Sequence, residues 1–239
     1  MSIMIQYLEV AKQVTLHTLK IEALRPGKVA MALTNADIAY RIIKEKIITV
    51  EMPPGSLIQE SQLMQELTLG RTPIREALKQ LESEKLVIFV PRRGMFVSDV
   101  QITDLQQIYE VRMTIERLGA RLAAERATTE DIEEMESCCR KMVNPDHVET
   151  RELILIDRNF HRLLAQATHN KFLMSEIEQF YNLSLRLWHL SLNKVVATDL
   201  DTDRHFAILQ AIKNQDIVCA EELMGQHIQH FHRTVRAVL

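Results

Sequence analysis

The segment DRNFH sets Asp157 and His161 four residues apart, between the apolar run LILI and the stretch RLLAQA. At about 100° per residue the two side chains share a helix face with Leu153, Phe160 and Leu164, opposite Arg151, Arg158, Arg162 and Gln166. A carboxylate and an imidazole turned into a core cost several kcal/mol unless they pair or bind a metal. Taken alone, an internal Asp–His pair is the plainer reading. Two further histidines shift the balance. His205, in DRHFAILQAI, falls in the middle of the face made by Ile208, Leu209 and Ile212, and His227, in ELMGQHIQHF, in the middle of the face made by Ala220, Leu223, Met224 and Phe231. His232 instead groups with Arg233 and Arg236 on the polar side, and His230 sits at the edge. Three imidazoles and one carboxylate on the inward faces of three helices suit a divalent transition metal, with zinc preferred over nickel, manganese, cobalt or iron. The absence of thiolate argues against a closed structural zinc site. Four protein ligands on an octahedral ion leave two positions for water or for the carboxylate of a small effector.

One more inward polar group stands out. Arg112, in YEVRMTIE, lies with Leu105, Ile108, Ile115 and Gly119, and Glu116 follows one turn on. It reads either as an internal Arg112–Glu116 pair or as a planar fork aimed at an anionic effector.

The elements that position these residues divide the chain in two. From about Thr103 the sequence is helical throughout, over roughly 103–126, 128–144, 149–168, 170–192, 201–214 and 216–237, with a capping box at Thr128 and Asp131 and Pro145 between two helices. This predicts an all-α antiparallel bundle over 101–239, whose interior is a natural place for a metal or effector site. The helix 170–193 has two apolar sides, one with Phe180, Leu183 and Leu187, the other with Met174, Ile177 and Tyr181, so one side is available for a partner chain.

Ahead of the bundle, residues 35–98 have a different grammar. ADIAYRIIKEKIITV reads as a helix stopped by Pro53–Gly55, GSLI as extended, ESQLMQEL as a short helix, and RTPIREALKQLESEK as a third helix with Thr72 as N-cap and Pro73 at the first helical position. LVIFV, PRRG and MFV then form a hairpin. Helix, helix, turn, helix, hairpin is the order of a winged helix-turn-helix, so the fold class is mainly α. On the third helix Ile74, Ala77, Leu78 and Leu81 face inward while Arg75, Glu76 and Lys79 face outward, as a major-groove reader requires. Arg71 stands at the helix entrance, and Arg92, Arg93 and Gly94 form the hairpin tip, where arginine suits phosphate or minor-groove contact.

The totals agree with such a protein. The 239 residues, 46% hydrophobic and 26% charged, carry a net charge of −3, so any nucleic-acid surface must be local. The three cysteines, two of them adjacent, show no metal-type spacing and fit a reduced, cytoplasmic setting. No apolar run spans a membrane, and the start MSIMIQYLEV has no basic leader. Residues 1–34, with the breakers Pro26 and Gly27, match no element and are expected to form an arm.

RTPIREALKQLESEKLV followed by PRRGMFV resembles the DNA-binding signature of the GntR family of bacterial regulators, over about residues 36–98. Gly70 stands where that family usually has serine, and Lys85 where it usually has the glycine suited to a left-handed helix end. Residues 101–237 resemble the shorter, six-helix FCD domain of one GntR branch. The resemblance implies Asp157, His161, His205 and His227 as ligands of a divalent ion, and it favours Arg112 as the effector's anchor. The combined expectation is a homodimeric, ligand-responsive transcriptional regulator, not an enzyme, with Arg71, Thr72, Arg75, Lys79, Arg92, Arg93 and Gly94 on double-stranded, pseudo-palindromic operator DNA. The rivals are a metal-dependent hydrolase-type enzyme and a DNA-binding protein whose bundle only dimerises.

Overall fold

The computed structural model of the chain describes residues 33–142, 150–191 and 202–238. Apart from Leu33 and Thr34, the expected arm lies outside them, as does Pro145. The described residues form two compact units, one of 33–46 with Leu57–Phe96, the other of Ile47–Ser56 with the residues from Val97 on.

The smaller unit is built on three helices and a hairpin. Helix α1 (Asn35–Ile48) starts at a capping box, because the Thr34 hydroxyl accepts from the Asp37 N–H at 3.1 Å and Asp37 Oδ2 accepts from the Thr34 N–H at 2.9 Å. Helix α2 (Glu60–Leu67) and helix α3 (Arg71–Ser83) follow, then β1 (Val87–Val90) and β2 (Gly94–Val97) as a two-stranded sheet. Leu57, in the GSLI stretch, adds an isolated antiparallel bridge to Phe96. Ile74, Ala77, Leu78 and Leu81 are all buried, the inward face that 3.6-residue spacing predicts. A partly buried polar knot ties α1 to the end of α3: Tyr40 donates to the Glu84 carboxylate, and Lys44 Nζ lies 2.7 Å from the Tyr40 hydroxyl and 2.9 Å from Glu84 Oε2. Burial and the Glu84 carboxylate push the Tyr40 phenol up to about 12.

Two details at the ends of α3 matter. Thr72 is not the N-cap: Gly70 is, with an extended backbone, and the helix begins at Arg71. Pro73 thus sits third, still within the turn whose N–H groups have no intrahelical partner, so it is tolerated there too. At the other end Lys85 adopts a φ of 62°, its N–H reaching Glu82 O at 3.0 Å while the Leu86 N–H reaches Leu81 O at 3.0 Å. These two bonds define a Schellman close, which normally uses glycine. Holding a side chain in the left-handed region costs roughly 1–2 kcal/mol, partly offset by the lower unfolded-state entropy of a non-glycine residue. Lys85→Gly is therefore expected to stabilise this unit by about 1 kcal/mol, read as a higher urea midpoint. An unchanged midpoint would mean that the lysine side chain makes a compensating contact.

The larger unit is all helix: α4 (Ile102–Arg126), α5 (Thr129–Arg140), α6 (Thr150–Ala167), α7 (Lys171–Ser191), α8 (Thr202–Lys213) and α9 (Ile217–Val238). The Thr128–Asp131 capping box forms, with Thr128 Oγ1 accepting from the Asp131 N–H at 3.2 Å. Helix α4 is the hub, packed against α6, α7, α8 and α9. Gly119 permits the approach of α7, since a Cβ there would meet Ile177 Cδ1 at 2.9 Å. Ala120, Met135, Phe160, Leu164, Ile208, Leu209, Ala220 and Met224 form one continuous core. At roughly 1.5–3 kcal/mol for each large apolar side chain, such a core can hold polar groups within it.

One expectation is corrected in this unit. His232 is 8% exposed, stacked on Tyr109 with ring centroids 4.2 Å apart, so α4 covers the helix edge that looks polar in sequence. Both apolar sides of α7 pack at least partly within this unit. Ile177, Tyr181 and Leu187 all lie in core clusters of this unit, and Met174, Phe180 and Leu183 are partly buried. No helix among the described residues is long and apolar enough to cross a membrane.

Candidate functional site

Asp157 and His161 project from α6, His205 from α8 and His227 from α9, and all four are buried. One ligand atom from each lies within 4.8 Å of every other. His205 Nε2 is 2.7 Å from Asp157 Oδ1, His161 Nε2 is 3.0 Å from His227 Nε2, and both of the latter are 3.7 Å from Asp157 Oδ1. The same ring nitrogen, Nε2, points inward in every case. Two donors about 2.1 Å from a shared ion and at right angles lie about 3.0 Å apart, so the observed spacings fit one divalent cation. His227 Nδ1 is buried with no hydrogen-bond partner among the described residues, which leaves that ring's Nε2 as its useful atom.

The surroundings set the charge state. Burial would push the Asp157 carboxyl up, but His161, the His205 hydrogen bond and His227 overcome it and hold the group well below the usual carboxylate range. Asp157 Oδ2 accepts from the Tyr181 hydroxyl, whose own pKa is driven up by burial and by Asp157. Burial, then His205 and His161, keep His227 far below the ordinary imidazole value. An ionised carboxylate beside neutral imidazole is the protonation state that metal ligation needs.

Arg112 is 2% exposed, and the pair with Glu116 forms: its Nε donates to Glu116 Oε1, its Nη1 to Ser184 Oγ at 2.8 Å. The guanidinium lies 5.0 Å from the Tyr181 ring centroid and 5.2 Å from that of Phe231. It also lines a small cavity with Tyr109, Ser184, Phe231 and His232. Glu116 Oε2 is 2.5 Å from His161 Nδ1. Burial raises the Glu116 pKa, but Arg112 and His161 outweigh it and pull the group down to about 2. In sequence Glu116 stands out only as a partner of Arg112, and Tyr181 only as an apolar-face residue. The signal for Tyr181 was its phenol on an inward face, since a buried Tyr hydroxyl needs a partner.

In the smaller unit Arg71, Thr72, Arg75 and Lys79 are exposed on α3. Glu60 stands between two of them, 3.3 Å from Arg71 Nε and 3.8 Å from Arg75 Nε, pairs too exposed to hold either arginine against a phosphate. Arg92 and Arg93 are exposed at the hairpin tip, where Arg92 has a φ of 65° and Gly94 a φ of 108° that side chains rarely adopt. Gly70 carries no steric reason to lack a side chain, since a Cβ would meet only Pro73 Cδ at 4.0 Å.

An arginine-bearing helix and hairpin on one unit, with a buried histidine–carboxylate cluster in a helical second unit, fit a DNA-binding regulator of the winged helix type. The sequence profile of the bacterial regulatory proteins of the gntR family matches residues 35–97, and that of the FCD domain matches residues 107–230. The chain belongs to the GntR family, in its FCD branch, and is a transcriptional regulator rather than an enzyme. It is 26% identical to the HTH-type transcriptional regulator YdhC of Bacillus subtilis, over 84% of this chain and 90% of that protein. It is 25% identical to the HTH-type transcriptional repressor RspR of Escherichia coli K12, over 83% and 88% respectively. Its fold is similar to that of E. coli McbR/YncC, with a TM-score of 0.74 and 20% identity over 83% of this chain and 95% of that one.

Proposed function

We propose that the chain is a metal-dependent sensor of a small carboxylate effector that controls a DNA-binding domain over residues 35–98 from a bundle over residues 101–239. The observation that carries this reading is the convergence of Asp157, His161, His205 and His227 within 4.8 Å in the core. These four would hold a divalent transition ion, zinc before nickel, manganese, cobalt or iron, and the ion would supply Lewis acidity toward a carboxylate. Arg112, which lines a small cavity with Tyr109, Ser184, Phe231 and His232, would anchor the effector's negative charge. Arg75 and Lys79 read bases in the major groove, Arg71 and Thr72 meet phosphate at the helix entrance, and Arg92 and Arg93 approach the backbone or minor groove on the turn made by Gly94.

A homodimer presents two such helices to a pseudo-palindromic operator in the bacterial cytoplasm. The effector shifts operator occupancy only by binding one arrangement of the DNA-binding domains more tightly than another. A thermal-shift screen of small carboxylates tests this. A carboxylate at a hundred times its Kd adds about 2.7 kcal/mol of stability, and the rise in Tm is expected in zinc-loaded protein but not after chelation. Equal shifts in both states, or none with any carboxylate, would contradict the reading.

A further inference from the structure

Glu116 is fully buried and touches both the effector-side arginine and one member of the histidine cluster. Its Oε1 accepts from Arg112 Nε, and its Oε2 lies 2.5 Å from His161 Nδ1. That nitrogen is on the far side of the ring from Nε2, which faces Asp157 and His227. A neutral imidazole has one N–H and one lone pair, so whatever fixes the proton on Nδ1 frees Nε2 as a ligand. Metal-bound histidines commonly give their second N–H to a carboxylate, which orients the ring and raises its basicity. His161 Nδ1 and Glu116 Oε2 meet as a close ion-pair contact rather than an aligned hydrogen bond, whereas among the described residues no carboxylate lies within ion-pair reach of His227 Nδ1.

We propose that Glu116 is a positioning residue that holds the Nδ1–H of His161, keeps its Nε2 lone pair for a divalent cation, and joins that ligand to Arg112. This rests on the metal reading above. The link gives the effector a route to the ion. An anion on Arg112 draws the guanidinium's charge away from Glu116, Glu116 then accepts more strongly from His161, and His161 becomes the better ligand. By reciprocity the ion strengthens effector binding to the same degree.

Zinc affinity measured by competition with a chromophoric chelator is expected to fall roughly 10- to 100-fold in Glu116→Gln. That variant strands the Arg112 charge in the core and can fail to fold. A second variant, Arg112→Met with Glu116→Gln, removes both charges and carries the same comparison. Nitrogen-resolved imidazole spectra of metal-free wild-type protein need no variant, and should show His161 with its proton on Nδ1. Zinc bound within twofold of wild-type strength by a folded Glu116 variant, or the Nε2–H tautomer at His161, would overturn the assignment while leaving the metal site standing. Wild-type protein that takes up no zinc would sink the metal site and this assignment together.

Discussion

Replacing His205 and His227 together by alanine is expected to strip the divalent ion from the protein. Both rings are buried, and both present Nε2 to Asp157 Oδ1, at 2.7 and 3.7 Å. Buried zinc sites bind with about 10 kcal/mol or more. If four ligands share that, losing two costs on the order of 5 kcal/mol, a weakening of more than a thousandfold. Removal also leaves two voids against Asp157 and Phe160, whose ring meets His205 edge-on at 4.8 Å. Some loss of stability therefore accompanies the loss of metal, and metal content must be read on protein shown to be folded by circular dichroism. An unchanged stoichiometry in the folded double variant would refute the ligand set. DNA binding by the smaller unit is the companion readout, because neither histidine lies in it.

Arg75→Ala has the opposite signature. The side chain is exposed on the outer face of α3, with only the loose Glu60 pair to lose, so the fold has little stake in it. A bidentate arginine contact to a base is worth about 1–3 kcal/mol. Operator affinity is thus expected to fall by roughly 5- to 150-fold, base preference at one position to relax, and the salt dependence to stay nearly as steep. Arg92→Ala, which removes the phosphate contact proposed for the hairpin tip, should instead reduce the salt slope by about one with base preference intact. Gel-shift titrations across a salt series and a set of single-base operator variants separate the two. Loss of metal in Arg75→Ala would contradict the division of labour between the units.

Periodicity recovers much of this molecule because a helix face is a local property. The inward placement of Asp157, His161, His205 and His227 follows from 3.6-residue spacing, as does the outward placement of Arg75 and Lys79. The left-handed helix end at Lys85 is implied only by the resemblance to the GntR signature, whose usual glycine marks that turn, and it forms with a φ of 62°. What one helix wheel cannot give is the neighbour that rises over its edge. His232 looks polar beside Arg233 and Arg236, yet Tyr109 of α4 covers it. Glu116 looks like half of an i, i+4 pair, yet its second oxygen meets a ring from α6, and Tyr181 reaches Asp157 from α7. The cap of α3 was misplaced for a smaller reason. Gly70 offers no side-chain oxygen, so the residue type pointed to Thr72 while the backbone began its helix two residues earlier than that cap implies.

The most direct measurement is elemental analysis of purified wild-type protein after saturation with zinc and removal of the unbound ion. One zinc per chain is expected, lost on chelation and regained on readdition. A ratio near zero in folded protein would mean that the four side chains close on one another as a polar core with no ion between them.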